Sequence, residues 1–246
     1  MLAVTMQPAP IYIVASPRPR VGKTLLARLL IEFLYSRSRP LVGYDLNPRE
    51  SLLAERFPKL VWPVDITSTR GQMELFDRLI ADTASTKIID LGSPLFDHFF
   101  GVIREIGFLP EARRLSMEPI VLFITDPAPT TVRSYAELRS RLAVTIVPVQ
   151  NESVSVMFAK EDFPGTGPEC GTIRIPRLSA IVRGVIDRPS FSFGAYLEKR
   201  QGGPTEIHEW IAQIFNEFRD LELRLLMGRV NSSLGRGGKR EDQSAG

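Results

Sequence analysis

The chain has 246 residues, 43% of them apolar, and a formal charge of +3. That length suits one generous α/β domain that buries its own core without a disulfide or metal staple, and the single cysteine, Cys170, excludes a disulfide within the chain. No apolar run approaches the ~20 residues of a membrane span, and the mild basicity permits nucleic-acid contact without requiring it.

In chain order, residues 11–15 (IYIVA) form a short apolar run of β-favouring types and are predicted to be a buried strand. Leu25, Leu26, Leu29, Leu30, Phe33 and Leu34 recur at helical spacing, which predicts a helix over Lys23 to Arg37. Residues 41–45 read as a second strand, followed by a short helix over Ser51 to Arg56 and an amphipathic helix over Gln72 to Ala84. Residues 87–91 (KIIDL) are a strand ending near an acid. Pro94 to Ile106 reads as a helix with Leu95, Phe99, Val102, Ile103 and Ile106 inward. A strand over Ile120 to Thr125 and a helix over Pro129 to Leu142, with proline in its first turn, precede a strand over Val144 to Val149. Residues 151–171 carry loop signals. Residues 172–176 read as another strand, Leu178 to Asp187 as a helix, 188–204 as loop and Thr205 to Met227 as a long helix. The tail from Asn231 is polar and glycine-rich and is expected to be disordered. The alternation predicts a mostly parallel sheet with helices on both faces, in one domain over residues 1–230.

The chemistry concentrates in SPRPRVGKT, between the first strand and the first helix. A strand, a turn and Gly-Lys-Thr opening a helix is the setting of a phosphate loop. The helix N-terminus offers unpaired N–H groups and a positive dipole end. Arg20, Val21, Gly22, Lys23, Thr24 and Leu25 are the expected nucleotide contacts. Gly22 admits close backbone approach, Lys23 brings charge to the β and γ phosphates, and Thr24 offers a hydroxyl to magnesium. Pro17 stands where the general pattern begins with glycine.

This segment resembles the deviant phosphate loop of the ParA/MinD-type ATPases, K-G-G-x-G-K-[ST]. Val21-Gly22-Lys23-Thr24 matches its second half. Arg18 falls at the signature lysine, and Pro19 and Arg20 replace two glycines. The resemblance spans residues 10 to 190 and implies a P-loop NTPase fold of three layers (SIMIBI-like), ATP and Mg2+ as ligands, and a nucleotide-dependent homodimer. It implies that Arg18 reaches the partner's phosphates. Asp45, in Asp45-Leu46-Asn47-Pro48, matches the first acid of the family's D-x-D-P and so positions the attacking water, with Asn47 in place of the second acid. By itself, an Asp at a strand end also fits a turn cap. Asp90 resembles the acid of the Walker B strand, close to the metal, and Gly92 the switch-segment donor to the γ phosphate. Asn151, with Gln150 as its neighbour and rival, resembles the residue that reads adenine. Pro176 belongs to the segment that lines the base.

The leading reading is an ATPase switch in partition or positioning. A non-hydrolysing scaffold that binds a protein partner, and a ligase or kinase of the dethiobiotin-synthetase kind, are the alternatives. Arg113, Arg114, Arg133, Arg139 and Arg141 are candidates for a non-specific DNA face. Acids throughout the helix from Thr205 argue against a membrane surface. The first ten residues have neither a basic n-region nor a long apolar segment, so no signal peptide is expected. With a single cysteine this fits the cytoplasm. No zinc-ligand spacing is present.

Overall fold

The computed structural model describes residues 9–47, 49–154, 163–164, 171–199 and 205–237. Seven strands form one all-parallel sheet: β1 (Ala9–Ala15), β2 (Leu41–Leu46), β3 (Val61–Pro63), β4 (Thr86–Leu91), β5 (Met117–Thr125), β6 (Thr145–Asn151) and β7 (Ile173–Ile175). Their order is β3-β2-β4-β1-β5-β6-β7. The central strand β1 pairs with β4, where Val14 lies opposite Asp90, and with β5, where Ala15 lies opposite Phe123. Parallel strands buried on both faces account for the near-continuous apolar runs in the sequence.

Alternation along β1 sends Tyr12 and Val14 to one face and Ile11, Ile13 and Ala15 to the other. The first face is covered by α1 (Lys23–Ser36), α2 (Leu52–Arg56), α7 (Ala180–Ile186), α8 (Phe193–Glu198) and α9 (Glu206–Gly237). The second is covered by α3 (Thr69–Ala81), α4 (Phe96–Glu105), α5 (Phe108–Arg114) and α6 (Pro129–Arg141). This is the α/β, helices-on-both-faces architecture expected, with every strand parallel.

Helix α1 is buried on more than its apolar face, because Arg28 and Glu32 are buried too. Arg28 Nε lies 3.1 Å from Glu32 Oε1, its Nη1 and Nη2 donate to the carbonyls of Ile186 and Phe191, and its guanidinium covers the Phe193 ring at 4.1 Å. Glu32 Oε2 accepts from Ser192 Oγ and the Gly194 amide. Arg28 and Glu32 are therefore buried as a pair, and the segment from Ile186 to Gly194 is tied onto α1. Ile207, Trp210, Ile211, Ile214, Phe215, Phe218 and Leu221 of α9 are buried in the same layer, so this helix docks on the sheet.

Several elements differ from expectation. Strand β3 has three residues, too few for a periodic signal. Helix α5 begins after Gly107 in the left-handed region (φ 64°), and α8 begins where Ser192 Oγ accepts from the Ala195 amide; both are too short to show a helical period. Helix α3 starts at Thr69, capped by Ser68, and a 3-10 turn over Ser93–Leu95 precedes α4. Ile106 ends α4 53% exposed instead of inward. The disordered tail expected from Asn231 is corrected in part. Residues 231–237 continue α9, since propagating a long helix costs far less than starting one, and residues 238–246 lie outside the described residues. So do Pro48, Cys170 and most of the predicted 151–171 loop.

Candidate phosphate site

The carboxyl ends of β1, β2, β4, β5 and β6 converge on the loop from Ser16 to Gly22, on the side where open parallel sheets bind ligands. Gly22 is the N-cap of α1 with φ 98°, and its carbonyl receives the Leu26 amide at 3.0 Å. A side chain there is excluded twice: by the left-handed backbone, and because a Cβ would stand 2.5 Å from Asn151 Nδ2. Arg20 also has positive φ (60°). Pro17 and Pro19 fix their own φ and confine Ser16 and Arg18 to extended conformations, so the loop is stiff ahead of Arg20.

Lys23 is buried, and its Nζ donates to the Arg18 carbonyl at 2.7 Å, closing the loop on itself. Burial lowers the pKa of this ammonium, against the pull of Asp90. Thr24 Oγ1 donates to Asp90 Oδ2 at 2.7 Å. Asp90 is fully buried, and its Oδ1 has no hydrogen-bond partner among the described residues. Burial pushes its pKa up to about 7; the nearby Asp45 adds to this, while Thr24, Lys23 and Asn47 oppose it.

Asp45 is bonded throughout by its own chain, as the turn-cap reading has it. Its Oδ1 accepts from the Asn47 backbone amide (3.1 Å) and Nδ2 (2.6 Å), and its Oδ2 from the Leu53 and Ala54 amides (2.9 and 3.2 Å). All four lone-pair positions are filled, so the carboxylate anchors the Asn47 turn and the start of α2 and has none left for a water. Asn47 Nδ2 also lies 3.2 Å from Asp90 Oδ2, so this amide bridges the two carboxylates. Gly92 is forced by the same crowding, since a Cβ there would stand 2.8 Å from the Leu46 carbonyl.

Asn151, rather than Gln150, meets the loop. Its Nδ2 donates to the Val21 carbonyl at 3.0 Å and its Oδ1 accepts from the Ser153 amide, which leaves one amide hydrogen for a ligand. Pro176 lies half-buried after β7, with its carbonyl held by Trp210 Nε1 at 2.7 Å. One residue was missed. Asp126, at the end of β5, is buried, and its Oδ1 lies 3.1 Å from Arg18 Nη1. The same carboxylate accepts from the Ala128 amide and Thr131 Oγ1. Asp-Pro after a strand was its only signal.

The donor set fits a hard divalent cation. Thr24 and Asp90 place oxygens side by side, and an orphaned buried carboxylate oxygen suits a cation or a cation-bound water. Among the described residues no group of three or more His, Cys, Asp or Glu forms a protein cage, so such an ion would come with its phosphates. Of the candidate DNA-facing arginines, Arg113, Arg114 and Arg141 lie beside Glu118, Glu111 and Glu137 at 3.9, 2.6 and 3.7 Å. No described helix is long and apolar enough to cross a membrane.

No family model matches the chain, and neither does any curated protein. Among solved structures it is similar to a nucleotide-binding protein from Archaeoglobus fulgidus in complex with ADP. That match has 11% identity and a TM-score of 0.42, and covers 70% of this chain and 83% of the other.

Proposed function

We propose that the chain is an ATP-binding switch of the ParA/MinD kind, with slow turnover and a nucleotide-dependent homodimer as its active form. The observation that supports this reading best is Thr24 bonded to the buried Asp90, whose second oxygen lacks a partner, beneath a lysine folded onto its own loop. Lys23 exchanges the Arg18 carbonyl for phosphate oxygens. The amides from Arg20 to Leu25 face the phosphates at the helix N-terminus. Thr24 and Asp90 would hold Mg2+, which neutralises phosphate charge when bound. Gly92 supplies a backbone donor, Asn151 its remaining amide hydrogen to the base, and Pro176 an apolar edge. Arg18 serves the partner's phosphates.

A second reading, a scaffold that binds nucleotide without hydrolysing it, is favoured by the saturation of Asp45. Calorimetry with ATP and ADP in Mg2+, on the wild type and Lys23→Ala, tests the proposal. Binding by the wild type that is lost in Lys23→Ala is expected, and no binding by the wild type refutes it. ATP binding without measurable turnover selects the scaffold.

A further inference from the structure

Among the described residues two buried acids pair with arginines, and the two pairs are built differently. Arg28 and Glu32 are 6% and 7% exposed and interlocked with backbone groups, a permanent tie. Arg18 is 49% exposed while its partner Asp126 is 2% exposed. Among the described residues this is the one ion pair that joins a buried acid to a solvent-facing cation.

The surroundings of this pair make it releasable. When Arg18 leaves, Asp126 keeps the Ala128 amide at 2.8 Å and the Thr131 hydroxyl at 2.9 Å, so the buried carboxylate is not orphaned. Pro17 and Pro19 stiffen the backbone around Arg18, so the movable part is the arginine side chain. A guanidinium on Asp126 is not available to a phosphate elsewhere. Carboxylate and phosphate oxygens are alternative partners for the same fork of donors.

We infer that Asp126 is a cis latch that parks Arg18 on its own chain, so that dimer formation exchanges this carboxylate for the partner's phosphates. The inference rests on the dimerisation reading above and adds its regulation. Asp126 is a positioning residue, acting only through Arg18. An ion pair exposed on one side changes an equilibrium by up to about fivefold. A symmetric dimer releases two latches, so removing them tightens dimerisation by up to about 25-fold.

The test measures ATP affinity by calorimetry and self-association with Mg2+ and a non-hydrolysable ATP analogue by sedimentation, on the full chain. Asp126→Asn, which retains an acceptor for the Ala128 amide, is expected to tighten the dimer roughly 2- to 25-fold with ATP affinity unchanged. Asp126→Ser is the substitute if the asparagine variant does not fold. Thr131→Ala removes a bond to the other carboxylate oxygen and is expected to leave dimerisation as it is. Arg18→Ala is expected to abolish the dimer, and Arg18→Ala/Asp126→Asn to behave as Arg18→Ala alone. The latch is overturned if Asp126→Asn leaves the dimer unchanged or weaker, if Thr131→Ala matches it, or if it acts equally without Arg18. Loss of the latch with nucleotide-driven dimers intact leaves the switch standing, whereas a wild type that binds no ATP removes both.

Discussion

Replacing Asp90 by Asn removes a charge that the nucleotide-free fold accommodates poorly. The carboxyl is fully buried, one of its oxygens has no partner among the described residues, and its pKa is pushed from the ordinary 3.8 up to about 7. The native state therefore keeps a proton that the unfolded chain has released, and stability falls as pH climbs from about 4 to about 7. At about 1.4 kcal/mol per pH unit the full loss is ~4 kcal/mol, of which ~3 kcal/mol falls between pH 5 and 8. Structural relaxation reduces this, so about 1.5–3 kcal/mol is expected. The assay is urea unfolding of the wild type and Asp90→Asn at pH 5 and pH 8, in EDTA and without nucleotide. Asn does not titrate, so the gap between the two proteins isolates the carboxyl. Asp90→Asn gains on the wild type as pH rises, while Mg2+ with ATP stabilises the wild type only. A gap that stays constant to within about 0.5 kcal/mol refutes the reasoning.

Asp45→Ala removes four hydrogen bonds that hold the Asn47 turn and α2. It costs about 2–4 kcal/mol in denaturant unfolding. A fall of more than about a hundredfold in ATP turnover, with stability intact, would show instead that Asp45 acts in catalysis. Gly22→Ala puts a Cβ 2.5 Å from Asn151 Nδ2 in a left-handed backbone. It lowers stability by about 2–3 kcal/mol and weakens ATP binding in the same calorimetric assay. Arg28→Met leaves Glu32 buried without its cation. A loss of about 3 kcal/mol is expected, together with earlier proteolysis between Ile186 and Gly194; unchanged cleavage there would disprove the tie.

The strand, turn and helix start around Gly22 were legible because a contiguous segment carries them. Gly22-Lys23-Thr24 announces a left-handed turn and a helix start within three letters, and the apolar runs on either side set the strand and α1. The acids were legible in position but not in their bonding partners. That Asp45 ends a strand is written locally, but the Leu53 and Ala54 amides that fill its lone pairs depend on how α2 folds back. Asp126 was missed because its significance comes from strand order. Only when β5 lies beside β1 does the end of one strand face the loop that leaves the other. Asn151 was separated from Gln150 by the pleat, since only one of two neighbouring side chains points toward Val21. The short elements β3, α5 and α8 are set by tertiary packing and caps more than by period.

The order β3-β2-β4-β1-β5-β6-β7 also governs when the site exists during synthesis. Thr24 leaves the ribosome 66 residues ahead of Asp90, Arg18 leads Asp126 by 108, and Val21 leads Asn151 by 130. A nascent chain that has made only β1 and α1 shows Gly22-Lys23-Thr24 with no floor beneath it and no wall beside it. These contacts are all distant in sequence, so the ligand-binding surface matures with the last strands. On the function proposed above, a phosphate ligand recognises finished molecules, and its binding energy is added to the folded chain and to none of its precursors.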